Sequence, residues 1–212
     1  MSENSNSSNE AQYTMKTDEA LAALGEVYYR GIGTPCDYHQ AFRYYRKAAD
    51  LGNPAALRRL GNCYEEGRGT EVDQEAALNC YESASAKGDA LATLRLGDFY
   101  KDGFASFITK DNAKAANCYL AALQQAIQNM DAWGAADIYL RVGDIMREGI
   151  GVPKDLEKAL EFYNAAADLY LQRMDSGDSD SEALMEQAEE GADFCADALG
   201  YPKDLGNEGF EA

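Results

Sequence analysis

The stretch Leu60 to Gly88, LGNCYEEGRGTEVDQEAALNCYESASAKG, decides the reading, because most of its marks recur elsewhere in the chain at a fixed distance. Its Leu60-Gly61 pair returns as Leu24-Gly25, Leu96-Gly97 and Val142-Gly143, with glycine separations of 36, 36 and 46. Three residues after each glycine stand Tyr28, Tyr64, Tyr100 and Met146, and three further on stand Gly31, Gly67, Gly103 and Gly149. A second turn glycine follows in three of the four units, at Gly33, Gly69 and Gly151. Beyond each turn an aspartate, an alanine and a tyrosine recur at i, i+4 and i+8, as Asp37-Ala41-Tyr45, Asp73-Ala77-Tyr81, Asp111-Ala115-Tyr119 and Asp155-Ala159-Tyr163.

Those offsets place apolar residues on one helical face, so each unit reads as two helices joined by a glycine-rich turn. A glycine inside a helix costs about 1 kcal/mol against alanine, so a recurring one implies that a backbone or ring packs where a side chain would clash. The turn glycines end the first helix in left-handed geometry, and the aspartate is placed to cap the second. One helix pair cannot bury its apolar stripe alone, whereas stacked neighbours can, which makes the chain an all-α solenoid.

The longer third interval holds 10 extra residues, two of them in the turn, where Gly103 to Asp111 spans 8 positions against 6 for Gly67 to Asp73. The other eight lie around Ile127 to Gly134 and add roughly one turn to each of two facing helices. Near the C-terminus, Gly200-Tyr201-Pro202-Lys203-Asp204-Leu205 repeats Gly151-Val152-Pro153-Lys154-Asp155-Leu156 at a distance of 49. The same offset sets Asp193 beside Asp144 and makes 181–200 the first helix of an incomplete unit, with Glu182, Glu186, Glu189 and Glu190 as the polar outer face of a cap. The expected organisation is a disordered tail over 1–12, rich in Ser, Asn and Glu, and a solenoid over 13–200. Its units run from about 17–53, 54–89, 90–130 and 131–175 to the partial 181–200, before a C-terminal tail at 201–212.

The linked pattern L-G-x-x-Y-x-x-G-x-G, then Asp, then A-x-x-x-Y-x-x-A-A, resembles the Sel-one-like repeat, a relative of the tetratricopeptide repeat. Leu24-Gly25, Tyr28, Gly31-Ile32-Gly33, Asp37, Ala41, Tyr45 and Ala48-Ala49 carry it most fully, while the third unit departs with Ala105 in place of its second glycine. The resemblance implies an α/α superhelical solenoid of four helix-pair repeats plus a C-terminal capping helix, acting as a non-enzymatic scaffold or adaptor for other proteins. Some bacterial members of that family are disulfide-stapled by a cysteine pair in every unit, and penicillin binding is known in that branch. Here Cys63 shares a column with Val27, Phe99 and Ile145, and Cys80 and Cys118 share one with Tyr44 and Phe162, so neither staples nor that activity carries over.

Composition narrows the partners. With 19 basic and 37 acidic residues the net charge is −18, which repels nucleic acid and anionic membranes and favours a protein or peptide of basic or apolar character. No apolar run approaches the ~20 residues of a membrane span and MSENSNSSNE lacks the regions of a secretory signal, so a cytoplasmic location is expected. Five scattered cysteines without a CxxC pair give no metal spacing, and no cofactor is expected. The lone histidine, His39, sits on a helix column shared with Glu75, Ala113 and Glu157 and reads as an exposed helix residue. The acidic run Asp175 to Glu182 has its glycine misplaced for a calcium loop and reads as a solvated linker, and the Gly31-Ile32-Gly33 turns lack the lysine of a phosphate loop.

The candidate partner-binding surface is a column on the first helices. Offsets of −3, +1, +4 and +5 from the helix glycine share one side, the face that lines the concave groove of a solenoid of helix pairs. They collect Glu26 and Tyr29, then Arg58, Asn62, Glu65 and Glu66, then Asp98 and Lys101, and finally Asp144 and Arg147, a mixed-charge surface suited to an extended peptide. The competing reading is bridging within the array, Arg95 to Asp98 and Arg141 to Asp144 at i,i+3, worth about 0.3–0.5 kcal/mol each. Secondary anchors are Phe104, Phe107 and Ile108 in the long turn, and Met130 with Trp133 at the tip of the long helix pair. Two further function classes stay open, a beta-lactam-binding hydrolase like the cysteine-rich branch and a self-association module.

Overall fold

The computed structural model describes residues 4–129 and 132–201, with side chains placed for 17–129 and 134–201. Met130 and the C-terminal tail after Tyr201 lie outside the described residues, and the side chain of Trp133 does too. Described residues form helices α1 (Asn4–Arg30), α2 (Tyr38–Asp50), α3 (Pro54–Glu66), α4 (Gln74–Ala86), α5 (Ala90–Asp102), α6 (Asn112–Asn129), α7 (Ala132–Glu148), α8 (Leu156–Asp175) and α9 (Glu182–Leu199). The fold is an all-α repeat solenoid, four helix pairs α1–α8 followed by the capping helix α9. Helix α1 begins at Asn4, within the stretch 1–12 that composition assigns to a tail, and that polar run holds neither proline nor glycine to stop a helix.

The chain divides into two compact units, Met1–Leu96 with Ala105–Phe107, and Gly97–Phe104 with Ile108–Ala212. In the first, α1 packs on α2, α2 on α3 and α3 on α4; in the second, α6 packs on α7, α7 on α8 and α8 on α9. The core of each unit is built around the repeated tyrosines: Tyr45 and Tyr81 in the first, Tyr119, Tyr163 and Tyr170 in the second, all buried.

The glycine–tyrosine pattern has a steric cause. A methyl group added at Gly25 or Gly97 would stand 2.5 Å from the ring of Tyr45 or Tyr119, and one at Gly61 or Gly143 would stand 3.0 or 2.9 Å from Tyr81 or Tyr163. Each first helix therefore lays bare backbone against an aromatic ring of its partner helix. The turn that joins them is closed by one recurring main-chain bond, from the N–H of the capping aspartate to the carbonyl of the residue three after the helix glycine: Asp37 to Tyr28, Asp73 to Tyr64, Asp111 to Tyr100 and Asp155 to Met146, at 2.7–2.9 Å. The side chains of Asp37, Asp73, Asp111 and Asp155 accept from the backbone N–H three residues on, at 2.9–3.1 Å.

The second turn glycine answers a different contact. At Gly69 a methyl group would fall 2.0 Å from the carbonyl oxygen of Tyr38, and at Gly151 2.2 Å from that of Asn112, so this glycine lets the turn press on the second helix of the preceding repeat. The third turn lacks it and solves closure another way. Phe104 and Ile108 exchange both backbone hydrogen bonds, at 2.9 and 3.1 Å, Ala105 takes φ +49, and the buried Phe104 ring stacks on Phe99 at 3.8 Å. Phe107 at its tip is 47 % exposed, whereas Ile108 is buried. The extra residues before Gly143 lengthen α6 to 18 and α7 to 17 residues, where α4 and α5 have 13 each, about one turn apiece.

Asp178, in the acidic run after α8, caps a short 3-10 turn, accepting from the Asp180 N–H and from the buried Ser181 hydroxyl. Four acidic side chains of α9, Glu182, Glu186, Glu189 and Glu190, are exposed while Ala188, Gly191, Ala192 and Cys195 pack inward. Among the described residues no helix is long and apolar enough to cross a membrane.

Candidate interaction site

The carboxylates of the first-helix column are the acceptors of the buried tyrosine hydroxyls. In the first unit Tyr45 donates to Glu26 at 2.8 Å, and the Tyr81 hydroxyl lies 2.8 Å from both Asn62 Oδ1 and Glu65 Oε2. In the second, Tyr119 donates to Asp98 and Tyr163 to Asp144, each at 2.8 Å. A buried hydroxyl bonded to an ionised acceptor contributes about 1.5–3 kcal/mol, and leaving it unpaired would cost a similar amount. Burial first, then the facing carboxylate, pushes the phenols of Tyr45, Tyr81, Tyr119 and Tyr163 far above their usual range.

Arginines from the following repeat reach the same carboxylates. Arg59 pairs with Glu26 at 3.2 Å, Arg95 with Glu65, and Arg141 with Asp98 at 3.3 Å. The i,i+3 pair Arg141–Asp144 is also present, at 3.7 Å. Burial opposes ionisation of Glu26, yet Arg59, the Tyr45 hydroxyl and Arg30 hold its carboxyl below the ordinary range. Burial likewise works against the Arg141 cation, and Asp98 and Asp144 outweigh it. Glu26, Glu65 and Asp98 thus each tie a second helix to the next first helix, while part of the surface stays open to solvent, 26 % for the Glu26 side chain and 18 % for Asp98; the buried Asp144 pairs with Arg141 and Arg147 of its own helix.

The remaining expected residues take distinct places. Arg58 forms a forked pair with Asp89, at 2.9 and 3.2 Å, and Asp89 also caps the Ala92 N–H. Glu66 pairs with Arg68 at 2.7 Å. Tyr29 accepts from Arg68 and meets Tyr38 edge-on, with ring centroids 5.3 Å apart. Lys101 is half-buried in the last turn of α5. Arg147 lies 3.6 Å from Asp144 and 2.9 Å from Glu148, with its guanidinium 5.6 Å from the Tyr163 ring centre and 5.7 Å from that of Phe194. His39 is exposed, and its Nδ1 lies 3.0 Å from the Gly69 carbonyl oxygen.

Three functional relationships escape the sequence reading. Tyr38 and Arg68 join Tyr29 and Glu66 at the end of the first repeat, a grouping with no local spacing to announce it. Asp137 accepts from Tyr170 at 2.9 Å and pairs with the buried Arg173 at 3.0 Å, repeating the Asp144–Tyr163 bond two helical turns away. The signal was available, since Asp137 precedes Asp144 by seven residues and Tyr170 follows Tyr163 by seven on an antiparallel neighbour. Asp193, set beside Asp144 by the offset of 49, is instead exposed, and Gly191 packs against Tyr163. The inward face of α9, Ala188, Ala192 and Cys195, matches the α3 face Ala56, Leu60 and Cys63, which puts Gly191 at the position of Arg59 and shifts the register of the cap by one residue.

The family model described as Sel1 repeat matches residues 18–53, 54–89, 90–126 and 137–171. The crystal structure of a Sel1 repeat protein from Oxalobacter formigenes is similar at 26 % identity and a TM-score of 0.63, over 90 % of this chain and 69 % of that one. The structure of c5321, described as a protective antigen of uropathogenic Escherichia coli strains with an SLR fold, matches at 23 % identity and a TM-score of 0.48, over 87 % of this chain and 54 % of that one. No curated protein matches. Repeats of this tetratricopeptide-like kind generally mediate protein–protein contacts. With four matched repeats over more than half of its 212 residues, each carrying the glycine–tyrosine contact and the capped turn, the chain belongs to the Sel1-repeat family.

Proposed function

We propose that the chain is a non-catalytic scaffold that holds a basic or apolar segment of another protein along the first helices of its repeats. The observation that carries this reading is the set of fixed carboxylates on the first helices of each unit: part-exposed Glu26 and Glu65 in the first, and part-exposed Asp98 with the buried Asp144 in the second. Tyrosine hydroxyls and arginines hold these groups in place before any partner arrives, so little conformational entropy is lost when one binds. A net charge of −18 draws basic segments toward these carboxylates. The scaffold is proposed to act in the cytoplasm, the compartment expected from the sequence.

The test keeps an oxygen acceptor for every tyrosine and removes the negative charge, and with it the arginine pairs, by combining Glu26→Gln, Glu65→Gln, Asp98→Asn and Asp144→Asn. Pull-down from the source cell, followed by mass spectrometry, should show captured protein lost from the variant while its circular dichroism stays helical. Capture that is undiminished by the four neutralisations would overturn the assignment of the partner to this face.

A further inference from the structure

The residue after the first turn glycine is apolar in three repeats, Ile32, Phe104 and Ile150, and in the second it is Arg68. Its guanidinium carbon lies 5.3 Å from the ring centre of Tyr29, in the last turn of α1, and 5.5 Å from that of Tyr38, the first residue of α2. Arg68 also donates to the Tyr29 hydroxyl, and its Nε lies 2.7 Å from the Glu66 carboxylate. Both aromatic residues break their own columns. Tyr29 shares its position with Glu65, Lys101 and Arg147, and Tyr38 shares its with Gln74, Asn112 and Leu156.

Two phenol faces, a hydroxyl acceptor and a carboxylate are the set of groups that recognises a guanidinium. The rings attract the delocalised cation through their quadrupoles, and the carboxylate and hydroxyl accept from its N–H fork. A lysine ammonium matches this set less well, because it is a compact, strongly hydrated point charge without a planar face. None of the four side chains is buried: Arg68 is 42 % and Tyr38 40 % exposed, so the guanidinium can leave without opening the core. Tyr38 also lines, with Pro35, His39 and Gly69, an open depression of about 460 Å³ with room for the residues flanking a docked side chain.

We propose that Tyr29, Tyr38 and Glu66 form an arginine-binding clamp, that Arg68 is its tethered internal occupant, and that an arginine of a basic partner segment replaces Arg68 there. This deepens the scaffold reading and rests on it for the existence of a protein partner. A tethered occupant competes at the high effective concentration that a short linkage confers, so it sets a threshold that weakly basic segments do not pass.

Fluorescence polarisation with labelled Gly-Arg-Gly-Arg-Gly and with its lysine twin tests the clamp directly. Arg68→Met, which keeps the aliphatic stem, and Arg68→Ala should each bind the arginine peptide at least about threefold more tightly than the unaltered chain. The lysine twin should change by less than about twofold, and adding Tyr38→Leu to Arg68→Met should remove the gain. Equal affinity of the unaltered chain and both Arg68 variants would overturn the proposal. So would an equal gain for the lysine twin, which marks net charge alone, or a gain that survives Tyr38→Leu. The clamp variants retain Glu26, Glu65, Asp98 and Asp144. A clamp that fails here while the fourfold neutralised variant loses capture sinks the clamp and leaves the scaffold; the reverse pattern sinks the face assignment and leaves the clamp.

Discussion

Tyr163 donates its hydroxyl to Asp144 at 2.8 Å from a ring that two glycines of different helices flank, Gly143 of α7 and Gly191 of α9. The ring fills the space that two side chains would otherwise take, and its polar tip is satisfied inside the core by a fixed, buried carboxylate. The same pairing of bare backbone with a hydrogen-bonded phenol recurs at Tyr45, Tyr81 and Tyr119.

Alanine at these glycines tests the contact. Gly97→Ala gains about 1 kcal/mol of helix propensity. Its methyl group would stand 2.5 Å from the buried Tyr119 ring, an overpacking that costs about 1–3 kcal/mol or more. We expect a net loss of stability in urea denaturation, larger than for Gly61→Ala, whose methyl group would stand 3.0 Å from Tyr81. Equal midpoints for the two variants and the unaltered chain would contradict the steric account.

Removing an acceptor should cost more than neutralising it. Asp98→Ala leaves the Tyr119 hydroxyl and Arg141 facing an apolar methyl group, a loss of about 2–4 kcal/mol. Asp98→Asn keeps an oxygen for the phenol and should lose roughly half of that. Tyr119→Phe combined with Asp98→Ala should be less than additive, the mark of direct coupling in a double-mutant cycle.

The steric part of this architecture could be read from residue order, and the polar part could not. Glycine, turn and cap signals act within a few residues of one another, so Gly61, Gly67 and Asp73 announce the helix, its end and the next start. The destination of a hydroxyl is a matter of which helices meet. Tyr45 finds Glu26 across 19 positions and Arg68 finds Tyr29 across 39, distances at which composition offers many acidic candidates and no means of choice. The i,i+3 bridge of Arg141 to Asp144 was foreseen, but the pairs that reach the preceding repeat, Arg59 to Glu26 and Arg95 to Glu65, needed the packed helices. Asp193 shows the limit of counting by offset: a shift of one residue in α9 turns an expected column member out to solvent.

Alkaline pH should unfold the chain through its tyrosines. Burial first, and then the facing carboxylates, hold the phenols of Tyr45, Tyr81, Tyr119, Tyr163 and Tyr170 protonated well above the usual range. Below the unfolded phenol value, near 10, both states keep the proton and the stabilisation is fully present. Above it the unfolded state releases protons that the folded state retains, so stability falls by about 1.4 kcal/mol per pH unit for each such tyrosine. Their tyrosinate absorbance should therefore rise together with loss of helix signal. Smooth ionisation of all 14 tyrosines near pH 10 with helices intact would refute the buried hydroxyl bonds.

Thiol reactivity should single out one cysteine. Burial pushes Cys63 and Cys80 up to about 11, and raises Cys118 and Cys195 as well. Cys36 alone is exposed, its thiol donating to the Tyr29 carbonyl at 3.1 Å. At pH 8 a disulfide reagent should release one equivalent rapidly from the native chain and five in denaturant, and Cys36→Ser should abolish the rapid phase.

The arginine that crosses from one repeat to the carboxylate of the repeat before it also dictates how such a chain can be recombined. Arg59 belongs by position to the second repeat but by partnership to Glu26 of the first, and Arg95 stands in the same relation to Glu65. A cassette cut at the loops before α3 or α5 severs each carboxylate from its cation. One cut just after Arg59 and just after Arg95 carries both members together, so the exchangeable module of this protein is out of phase with its visible helix pairs.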